Sequence, residues 1–405
     1  MKRDRPSQAV ILAGGRGERL RPLTDHVPKP MIEFHGKPFL EYVVEMLREQ
    51  GFERILLLLG YLPEVIMDHF GDGSRLGVAI EYRVTAPDDL TAYRIQEAAS
   101  EIDDKFLLLY CDNYWPMQFE AMWDAYQEAG APAQITVYSN ADGYTKDCVT
   151  VDEDGFVRVF DRSRMIPGLR GVEISYAILD KVAVLPLLPA KQELFEQAVY
   201  PELAQRGRLH AYWTEHRYYS VGSHARLSLT TEFLARRPAV ILDRDGVLNV
   251  RPPKAEYVRK PKDFRWLPGA REALRLLAGA GYRVIVVSNQ AGVGRGVMTE
   301  QQVEAVHDRM RREAEEAGGR IDAVYYCPHG WNDGCECRKP KPGMLFQAQR
   351  EHHLDLTRTT FVGDDERDEQ AAAAAGCRFA YATEDDSLLD ITYRLLAGEL
   401  EEATA

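Results

Sequence analysis

The feature that most constrains the fold of this chain is a recurring pattern. A short apolar run is followed by a turn and then by a longer amphipathic stretch. The clearest apolar runs are Ala9–Ala13, Ile55–Leu59, Phe106–Tyr110, Ala239–Leu242, Val284–Val287 and Thr360–Val362. Runs of this kind that alternate with helix-length stretches are typical of buried parallel strands joined by helices. The pattern therefore predicts an α/β fold in both halves of the chain.

Chain length and one break in the pattern predict the domain organisation. The chain has 405 residues, too many for one ordinary core, so two domains are expected. Leu227–Leu234 has the character of a closing helix, and a new apolar run begins directly after Arg236-Arg237-Pro238. We therefore predict one domain over residues 1–236 and a second over residues 237–405.

Charge and hydropathy exclude several classes of protein. A formal net charge of −13 and a pI near 5.4 argue against a general binder of nucleic acid or anionic membrane. The apolar runs are strand-sized, too short for a membrane span or for the core of an export signal. We expect a cytoplasmic protein with no nucleic-acid or membrane partner, and the oligomeric state stays open.

The strongest motif follows the apolar run that opens the second domain. Asp243 and Asp245 stand two residues apart and precede Gly246. Ligands gather at the carboxyl ends of parallel strands, where one carboxylate can attack phosphorus and a second can move a proton. Mg²⁺ suits such a site, because it is held by hard oxygen ligands and lets carboxylate and phosphate meet. The alternative is an ordinary helix cap or turn.

Three later segments support a phosphoryl-transfer site. Ser288 ends a second run with a hydroxyl suited to a phosphoryl oxygen, and Asp364 ends a third with a carboxylate suited to a metal. Arg338-Lys339 supplies cations that can neutralise phosphate charge in the transition state. Each segment alone can be a cap or a surface charge. Their order along the chain predicts that they form one site.

A metal site is predicted just before these cations. Its ligands are Cys327, His329, Cys335 and Cys337. Three thiolates and one imidazole complete a tetrahedron with no open position, so the Zn²⁺ they hold would be structural. Reduced, packed cysteines are the alternative. A zinc ion here would fix the loop that carries Arg338 and Lys339.

Residues 239–392 resemble the haloacid dehalogenase superfamily, and within it the heptose 1,7-bisphosphate 7-phosphatases. The motifs that carry the resemblance are Asp243-Arg244-Asp245-Gly246, Ser288-Asn289-Gln290, Cys335-Glu336-Cys337-Arg338-Lys339 and Val362-Gly363-Asp364. The resemblance implies an Mg²⁺-dependent phosphatase that removes the 7-phosphate of D-glycero-D-manno-heptose 1,7-bisphosphate through an aspartyl-phosphate. The related histidinol-phosphate phosphatases give the rival substrate.

The same resemblance implies a role for each motif residue. Asp243 would be the nucleophile, and Asp245 the general acid and base, with its backbone carbonyl on Mg²⁺. Asp364 would complete the Mg²⁺ site. The phosphoryl group and the rest of the substrate would be contacted by Ser288, Lys339, Arg338, Asn289 and Gln290. Two departures are visible: Asp365 stands where the family usually has Lys, which adds negative charge beside the metal, and the loop Arg251–Tyr257 looks longer than in the family.

The first domain opens with a second phosphate-binding pattern. The run Ala9–Ala13 leads into a turn that contains Gly14, Gly15 and Gly17, and Arg19 follows. Glycines let the backbone approach a triphosphate, and backbone N–H groups with a guanidinium can hold its charge. A plain turn is the alternative.

Residues 8–234 resemble the sugar-1-phosphate nucleotidyltransferases, which join a nucleoside triphosphate to a sugar 1-phosphate and release pyrophosphate. Lys29 lies between two prolines, and Asp112 follows the run Phe106–Tyr110. The resemblance implies that Arg19 and Lys29 bind phosphates and that Asp112 binds Mg²⁺. Both domains would then be doubly wound and Rossmann-like, and heptose activation would link them.

The first domain also departs from that family. Ser220 stands where a second metal-binding Asp is usual, and a hydroxyl is a poorer Mg²⁺ ligand. Leu90-Thr91-Ala92-Tyr93 replaces a glycine-rich base-binding loop, and Tyr93 can fill the nucleotide pocket. Asp161-Arg162 stands where the family has a Glu-Lys pair before its sugar site, and Arg cannot replace Lys at a shaped phosphate site without cost. Two functions stay open: a transferase with altered ligands, and a ligand-sensing or scaffolding module without transfer.

Overall fold

The chain folds into two compact units. The structure, a computed structural model, describes residues 5–190 and 192–400. The division falls between Ala235 and Arg236, one residue before the predicted boundary. The part up to Ala235 is called unit 1 and the part from Arg236 is called unit 2. Among the described residues, no helix is both long and apolar enough to cross a bilayer.

Unit 1 is built around a large central sheet with helices packed against it. Its strands are β1 (Gln8–Ala13), β2 (Glu33–Phe34), β3 (Lys37–Pro38), β4 (Arg54–Leu59), β5 (Ala79–Val84), β6 (Lys105–Tyr110), β7 (Asn113–Tyr114), β8 (Ala133–Tyr138), β9 (Val149–Val151), β10 (Val157–Phe160), β11 (Val172–Asp180), β12 (Leu209–Thr214) and β13 (Tyr219–Ser220). Its helices are α1 (Phe39–Glu49), α2 (Pro63–Phe70), α3 (Thr91–Glu97), α4 (Phe119–Ala129), α5 (Lys181–Val184), α6 (Phe195–Gln205) and α7 (His224–Leu234).

The central sheet of unit 1 has seven strands in the order β12-β8-β11-β6-β1-β4-β5. Strand β1 pairs in parallel with both β4 and β6, and every residue of β1 is buried, as expected for a strand covered on both faces. Strand β11 runs antiparallel to β6 and β8, which the apolar runs alone did not predict. Because β1 and β6 are neighbours, the segments after their carboxyl ends, which carry Gly14 and Asp112, start side by side.

Unit 2 has a smaller sheet. Its strands are β14 (Ala239–Leu242), β15 (Arg283–Asn289), β16 (Ala323–Cys327), β17 (Thr360–Gly363) and β18 (Arg378–Tyr381). Its helices are α8 (Ala270–Gly279), α9 (Glu300–Glu316), α10 (Gly343–His352), α11 (Glu366–Ala375) and α12 (Leu388–Leu396). The five strands follow the order β16-β15-β14-β17-β18, and each pairs in parallel with its neighbours.

Helices cover both faces of the unit 2 sheet. Successive side chains of a strand point to opposite faces. Accordingly, Val240 and Leu242 pack into the cluster formed with α8, α9 and α12, whereas Ile241 packs into the cluster formed with α10 and α11. This doubly wound arrangement confirms the predicted fold class. It also brings the carboxyl ends of β15, β14 and β17 together at one edge of the sheet, where Ser288, Asp243 and Asp364 lie.

Local sequence signals explain where key helices begin. Helix α9 starts with a capping box in which Thr299 and Gln302 bond each other's backbone N–H groups. Helix α11 is capped by Asp365, whose side chain accepts a hydrogen bond from the backbone N–H of Arg367. This cap fixes the first turn of α11 directly beside Asp364.

Candidate active site

Lys339 is the electrostatic centre of the site in unit 2. Its Nζ donates to Asp243 Oδ1 at 2.8 Å and to the carbonyl of Val287 at 3.2 Å, and it pairs with Asp368 Oδ1 at 2.7 Å. Burial alone would lower the pKa of Lys339, but the charges of Asp243 and Asp368 outweigh it and hold that pKa above its ordinary value. The structure therefore places a fixed cation against the predicted nucleophile.

Three carboxylates meet around a space suited to a cation. Asp243, Asp364 and Asp368 each offer an oxygen, and these atoms lie within 4.8 Å of one another. Asp364 Oδ1 is buried and has no hydrogen-bond partner among the described residues. Burial raises the pKa of Asp243 to about 7 against the opposing charge of Lys339. A hard divalent cation fits this donor set, because it would satisfy the orphaned oxygen and reduce the repulsion.

Asp368 was not among the predicted site residues. It lies in the first turn of α11, four residues after Asp364, and its carboxylate accepts a hydrogen bond from the Asp364 backbone N–H at 3.3 Å. Asp364 lies just before the cap of α11, so this bond joins the end of β17 to the first turn of the helix. The short separation of Asp368 from Asp364 along the chain was the available signal for Asp368.

Asp245, the predicted acid and base, lies in a separate hydrogen-bond network. Its carboxylate accepts from Arg244 Nη2 at 2.8 Å, Asn249 Nδ2 at 2.9 Å and Gln290 Nε2 at 3.0 Å. Burial alone would raise the pKa of Asp245, but Arg244 and the other two donors lower it overall. Arg244 is fully buried and its Nη1 lies 3.1 Å from His307 Nε2. No local sequence pattern predicted that His307 would support this pair.

The predicted substrate contacts divide into two groups. Ser288 is buried beside the carboxylates, and its Oγ accepts from Gln290 Nε2 at 2.9 Å. Asn289 instead holds the cation loop, since its side chain bonds both the backbone carbonyl and the backbone N–H of Lys339, at 3.0 and 3.1 Å. Arg338 lines the cavity that opens above the carboxylates, and its Nη1 is buried with no partner among the described residues.

Gly246 explains why the motif needs glycine after its second aspartate. It has φ = 100°, and the carboxylate of Asp364 lies against its Cα, so a Cβ at this position would collide with that carboxylate. Only glycine combines a left-handed backbone with so close an approach. The turn after β14 can therefore reach the carboxylate that follows β17.

A cavity of about 1250 Å³ opens above these residues. The loop Arg251–Tyr257 forms one wall. Arg251 bonds Asp364 Oδ2 at 2.9 Å and Asp365 Oδ2 at 2.6 Å, and Arg367 Nε bonds Asp365 Oδ1 at 2.7 Å. These hydrogen bonds, Arg367 first, hold the pKa of Asp365 well below its usual range. The negative charge expected of Asp365 is thus balanced by two guanidinium groups.

The four predicted zinc ligands converge. The Sγ atom of Cys327 lies 3.6 Å from both His329 Nδ1 and Cys335 Sγ, and His329 Nδ1 lies 3.2 Å from Cys337 Sγ. All four donor atoms lie within 4.8 Å of one another. A tetrahedral site with Zn–S bonds of about 2.3 Å has edges of about 3.7 Å, whereas a disulfide joins sulfurs about 2.05 Å apart. The geometry fits a zinc ion and does not fit a disulfide.

The predicted phosphate loop of unit 1 lies after β1. Gly15 and Arg19 are exposed, and Gly17 has φ = 64°. Gly14 differs from them, because it is buried and its carbonyl accepts a hydrogen bond from Arg94 Nη2 at 3.3 Å. Part of this loop is therefore open to a ligand, and part is already occupied by a side chain.

The predicted Mg²⁺ ligand of unit 1 lies near several cations. Asp112 Oδ2 is 2.7 Å from Lys29 Nζ. Burial alone would raise the pKa of Asp112, but Lys29 and nearby arginines lower it. Ser220, at the position of the family's second carboxylate, accepts from Arg226 Nη1 at 3.3 Å. A guanidinium is thus bonded where the family would place a metal ligand.

The other two departures also take definite positions. Tyr93 is half-buried and hydrogen-bonds Glu97 of the same helix. Asp161 caps its own turn by accepting from the backbone N–H groups of residues 163, 165 and 166. Arg162 lies 3.7 Å from Glu173 Oε2 and 3.8 Å from Glu196 Oε1, both almost fully buried carboxylates. These residues form an ion cluster that the sequence did not predict.

Comparison with known proteins gives each unit its own relatives. The Nucleotidyl transferase family model matches residues 8–161, and the Polynucleotide kinase 3 phosphatase family model matches residues 239–392. The D-glycero-beta-D-manno-heptose-1,7-bisphosphate 7-phosphatase of Bordetella bronchiseptica is 44% identical over 138 residues, which are 34% of this chain and 76% of that protein. The protein of the same name from Rhodopseudomonas palustris is 39% identical over 176 residues, 42% of this chain and 94% of its own length.

A solved structure resembles unit 1 in fold. It is described as a putative glucose-1-phosphate thymidylyltransferase from Bacillus anthracis in complex with a sucrose. The alignment has a TM-score of 0.50 and 18% identity, and it covers 56% of this chain and 95% of that one. At this identity the likeness concerns the fold alone.

Proposed function

Because its unit 2 belongs to the haloacid dehalogenase-type family of heptose 1,7-bisphosphate 7-phosphatases, we propose that this chain removes the 7-phosphate of D-glycero-β-D-manno-heptose 1,7-bisphosphate through an aspartyl-phosphate. The chain is a phosphatase that also carries a nucleotidyltransferase-type unit. One observation carries the mechanism: Lys339 Nζ bridges Asp243 and Asp368 beside the orphaned oxygen of Asp364.

In the first step, a carboxylate oxygen of Asp243 attacks the phosphorus of the 7-phosphate. The bond from phosphorus to the sugar oxygen breaks, and Asp245 gives its proton to that oxygen. Asp245 is held as an anion before substrate binds. A phosphate monoester has its second pKa near about 6, so a bound monoanion can deliver the proton that Asp245 then passes on. Ser288 Oγ and Lys339 Nζ, which lie beside Asp243, would donate to the phosphoryl oxygens.

In the second step, water attacks the phosphorus of the aspartyl-phosphate. Asp245, now an anion, takes the proton of that water, and the bond between Asp243 and phosphorus breaks. Inorganic phosphate leaves and Asp243 is restored. The donors to Asp245, above all the buried Arg244, keep its carboxylate aimed at the reacting oxygen in both steps.

The donor set fits Mg²⁺. Asp243, Asp364 and the backbone carbonyl of Asp245 would hold the ion, and Asp368 offers a third carboxylate within 4.8 Å of the other two. When bound, Mg²⁺ would supply the positive charge that lets a carboxylate approach a phosphate. The Cys327, His329, Cys335 and Cys337 set would hold a structural Zn²⁺ that fixes the loop carrying Lys339.

The cavity walls favour a substrate with a second phosphate. Outside the three clustered carboxylates Asp243, Asp364 and Asp368, the lining holds six cations against four anions. The cations are Arg251, Lys254, Arg338, Lys339, Lys341 and Arg367, and the anions are Asp245, Glu256, Asp365 and Glu366. Histidinol phosphate carries an amine cation in addition to its phosphate, whereas a heptose bisphosphate carries a second anion. The heptose bisphosphate matches this lining better.

Phosphate release from the two substrates tests the proposal. The full chain with Mg²⁺ is expected to hydrolyse heptose 1,7-bisphosphate with the higher kcat/KM, and Asp243→Asn is expected to abolish turnover of both. A preference for histidinol phosphate would overturn the substrate but not the mechanism. Full activity of Asp243→Asn would overturn the mechanism.

For unit 1, we propose ligand binding without nucleotidyl transfer. The observation that favours this is the contact of Ser220 Oγ with Arg226, which leaves Asp112 without a second carboxylate at that place. Nucleotidyl transfer by altered ligands is the second candidate. Pyrophosphate release with GTP, ATP, CTP or dTTP and a sugar 1-phosphate separates the two. Release with any pair would establish transfer, whereas sugar-phosphate binding without release would support the binding module.

A further inference from the structure

Arg94 is the most deeply inserted arginine at the predicted nucleotide loop of unit 1. It belongs to α3 and is 2% exposed. Its Nη1 donates to the carbonyl of Leu59 at 2.5 Å, and its Nη2 donates to the carbonyl of Gly14 at 3.3 Å. The guanidinium therefore reaches across the carboxyl ends of β4 and β1.

The same guanidinium also meets the segment that follows β5. Arg94 Nη1 lies 2.6 Å from Thr85 Oγ1, and Nη2 lies 2.9 Å from the carbonyl of Ala86 and 3.3 Å from that of Pro87. Five acceptors from three separate segments thus surround one planar group. Four of the five are backbone carbonyls, whose positions are set by the fold rather than by side-chain rotation.

Two glycines open the space that the guanidinium fills. A Cβ on Gly14 or on Gly60 would collide with the guanidinium of Arg94. This space, here called the slot, is therefore lined by acceptors and bounded by bare backbone, and the planar guanidinium fills it. It accepts a planar group that presents N–H donors at its edge.

A nucleobase is a group of this kind. Purines and pyrimidines are planar, and most carry N–H donors on an edge. Gly14 is the first glycine of the loop predicted to approach a nucleotide, and ligands of open α/β sheets gather at the carboxyl ends of strands. A base bound against Gly14 would need the volume and the carbonyls that Arg94 already uses.

We propose that the Arg94 guanidinium occupies acceptors and space that a nucleobase would need at this loop, and that it thereby keeps nucleoside triphosphates out of unit 1. The exposed part of the loop, with Gly15 and Arg19, stays available for an anion such as a sugar phosphate. This inference deepens the proposal that unit 1 does not transfer nucleotides, but it makes no use of sugar-phosphate binding. It also stands whatever unit 2 hydrolyses.

Tyr93, the large side chain that the sequence offered for the pocket, takes a different direction from Arg94. Tyr93 bonds Glu97 along α3, whereas Arg94, one position later, points towards the sheet. One step along a helix turns the side chain by about 100°. We therefore assign the filling of the pocket to Arg94 in place of Tyr93.

Calorimetric titration of the full chain with GTP, ATP, CTP and dTTP in the presence of Mg²⁺ tests the inference. Wild type is expected to show no saturable binding up to millimolar nucleotide. Arg94→Ala is expected to bind at least one nucleotide at least tenfold more tightly than wild type. Methylguanidine, which carries the missing group, is expected to compete with that nucleotide, whereas methylammonium is not.

Controls keep the inference falsifiable. Arg83→Ala is the matched control, because Arg83 lies on β5 nearby and pairs with Glu101 outside the slot. If Arg94→Ala does not fold, Arg94→Gln takes its place, since a shorter amide retains two N–H donors. Saturable binding by wild type would overturn the inference. A folded Arg94 variant that binds no nucleotide would also overturn it, and so would equal binding by Arg83→Ala.

Discussion

Replacing Lys339 by Met removes the charge at the centre of the phosphatase site and keeps a side chain of similar length. Lys339 Nζ lies 2.8 Å from Asp243 Oδ1 and 2.7 Å from Asp368 Oδ1, and the residue is 2% exposed. Methionine cannot pair with either carboxylate. Two buried carboxylates would therefore lose their common counter-ion.

The expected magnitude follows from these distances. Two unit charges about 2.8 Å apart attract by about 6 kcal/mol at an effective dielectric constant of about 20, and the cost of burying the ammonium offsets part of this. Breaking a buried ion pair by removing one partner costs about 3–5 kcal/mol. In the absence of metal ions, we therefore expect the free energy of unfolding of Lys339→Met to be about 3–5 kcal/mol lower than that of wild type. Losing one preorganised donor is expected to lower kcat by about 10²–10³-fold.

Two assays check the Lys339→Met prediction. Urea unfolding in the presence of EDTA measures the free energy of unfolding, and phosphate release at saturating substrate and Mg²⁺ measures kcat. Lys341→Met is the stability control, because Lys341 is 44% exposed and pairs with Glu336 at 2.7 Å. Its loss is expected to stay below about 1 kcal/mol. A kcat within tenfold of wild type, or a stability equal to that of the control, would refute the reasoning.

Three further predictions follow from the site and its supports. Cys335→Ser is expected to lower both bound zinc, measured by elemental analysis, and phosphatase activity, because the four-ligand set fixes the neighbouring cation loop; unchanged zinc content would contradict the site. Gly246→Ala is expected to lower kcat at least about tenfold, since the added Cβ would collide with Asp364. Gly281→Ala is its control, because Gly281 has φ = 79° and open space around it. This control is expected to lose only about 1–2 kcal/mol of stability through backbone strain. Burial, with the charge of a nearby arginine, lowers the pKa of His307 to about 3. In the unfolded chain the same imidazole takes up a proton near pH 6.5, so the unfolded state binds more protons than the folded state below that pH. The free energy of unfolding should therefore fall by about 1.4 kcal/mol for each unit by which the pH is lowered from about 6.5 to about 3. His307→Gln should flatten this part of the pH profile, and an unchanged profile would show that another group sets it.

The apolar runs predicted the strands of both sheets well, because a buried parallel strand appears in the sequence as a short continuous apolar run. Val284–Val287 and Thr360–Val362 both lie inside observed strands, and the polar residues after them meet at one sheet edge. The resemblance to the heptose phosphatases and the predicted α/β class are confirmed. Strand order and the antiparallel β11 were not predicted, since pairing depends on contacts distant in sequence.

The supports of the site were harder to predict than its motifs. Asp368 had a local signal, its spacing from Asp364, whereas His307 reaches Arg244 from a different helix. An arginine in an amphipathic helix is usually a solvated side chain, so the sequence could not show that Arg94 enters the sheet edge. Side chains that act through packing between distant segments leave little trace in local patterns.

The aspartyl-phosphate is the central claim, and trapping it tests the account most directly. Acid quenching of the full chain during turnover of heptose 1,7-bisphosphate preserves an acyl phosphate, and borohydride then reduces the modified aspartate to homoserine, which peptide mapping locates. The account predicts the homoserine at position 243 in wild type and none in Asp243→Asn. Homoserine at position 245, or product formed while no homoserine can be trapped, would contradict it.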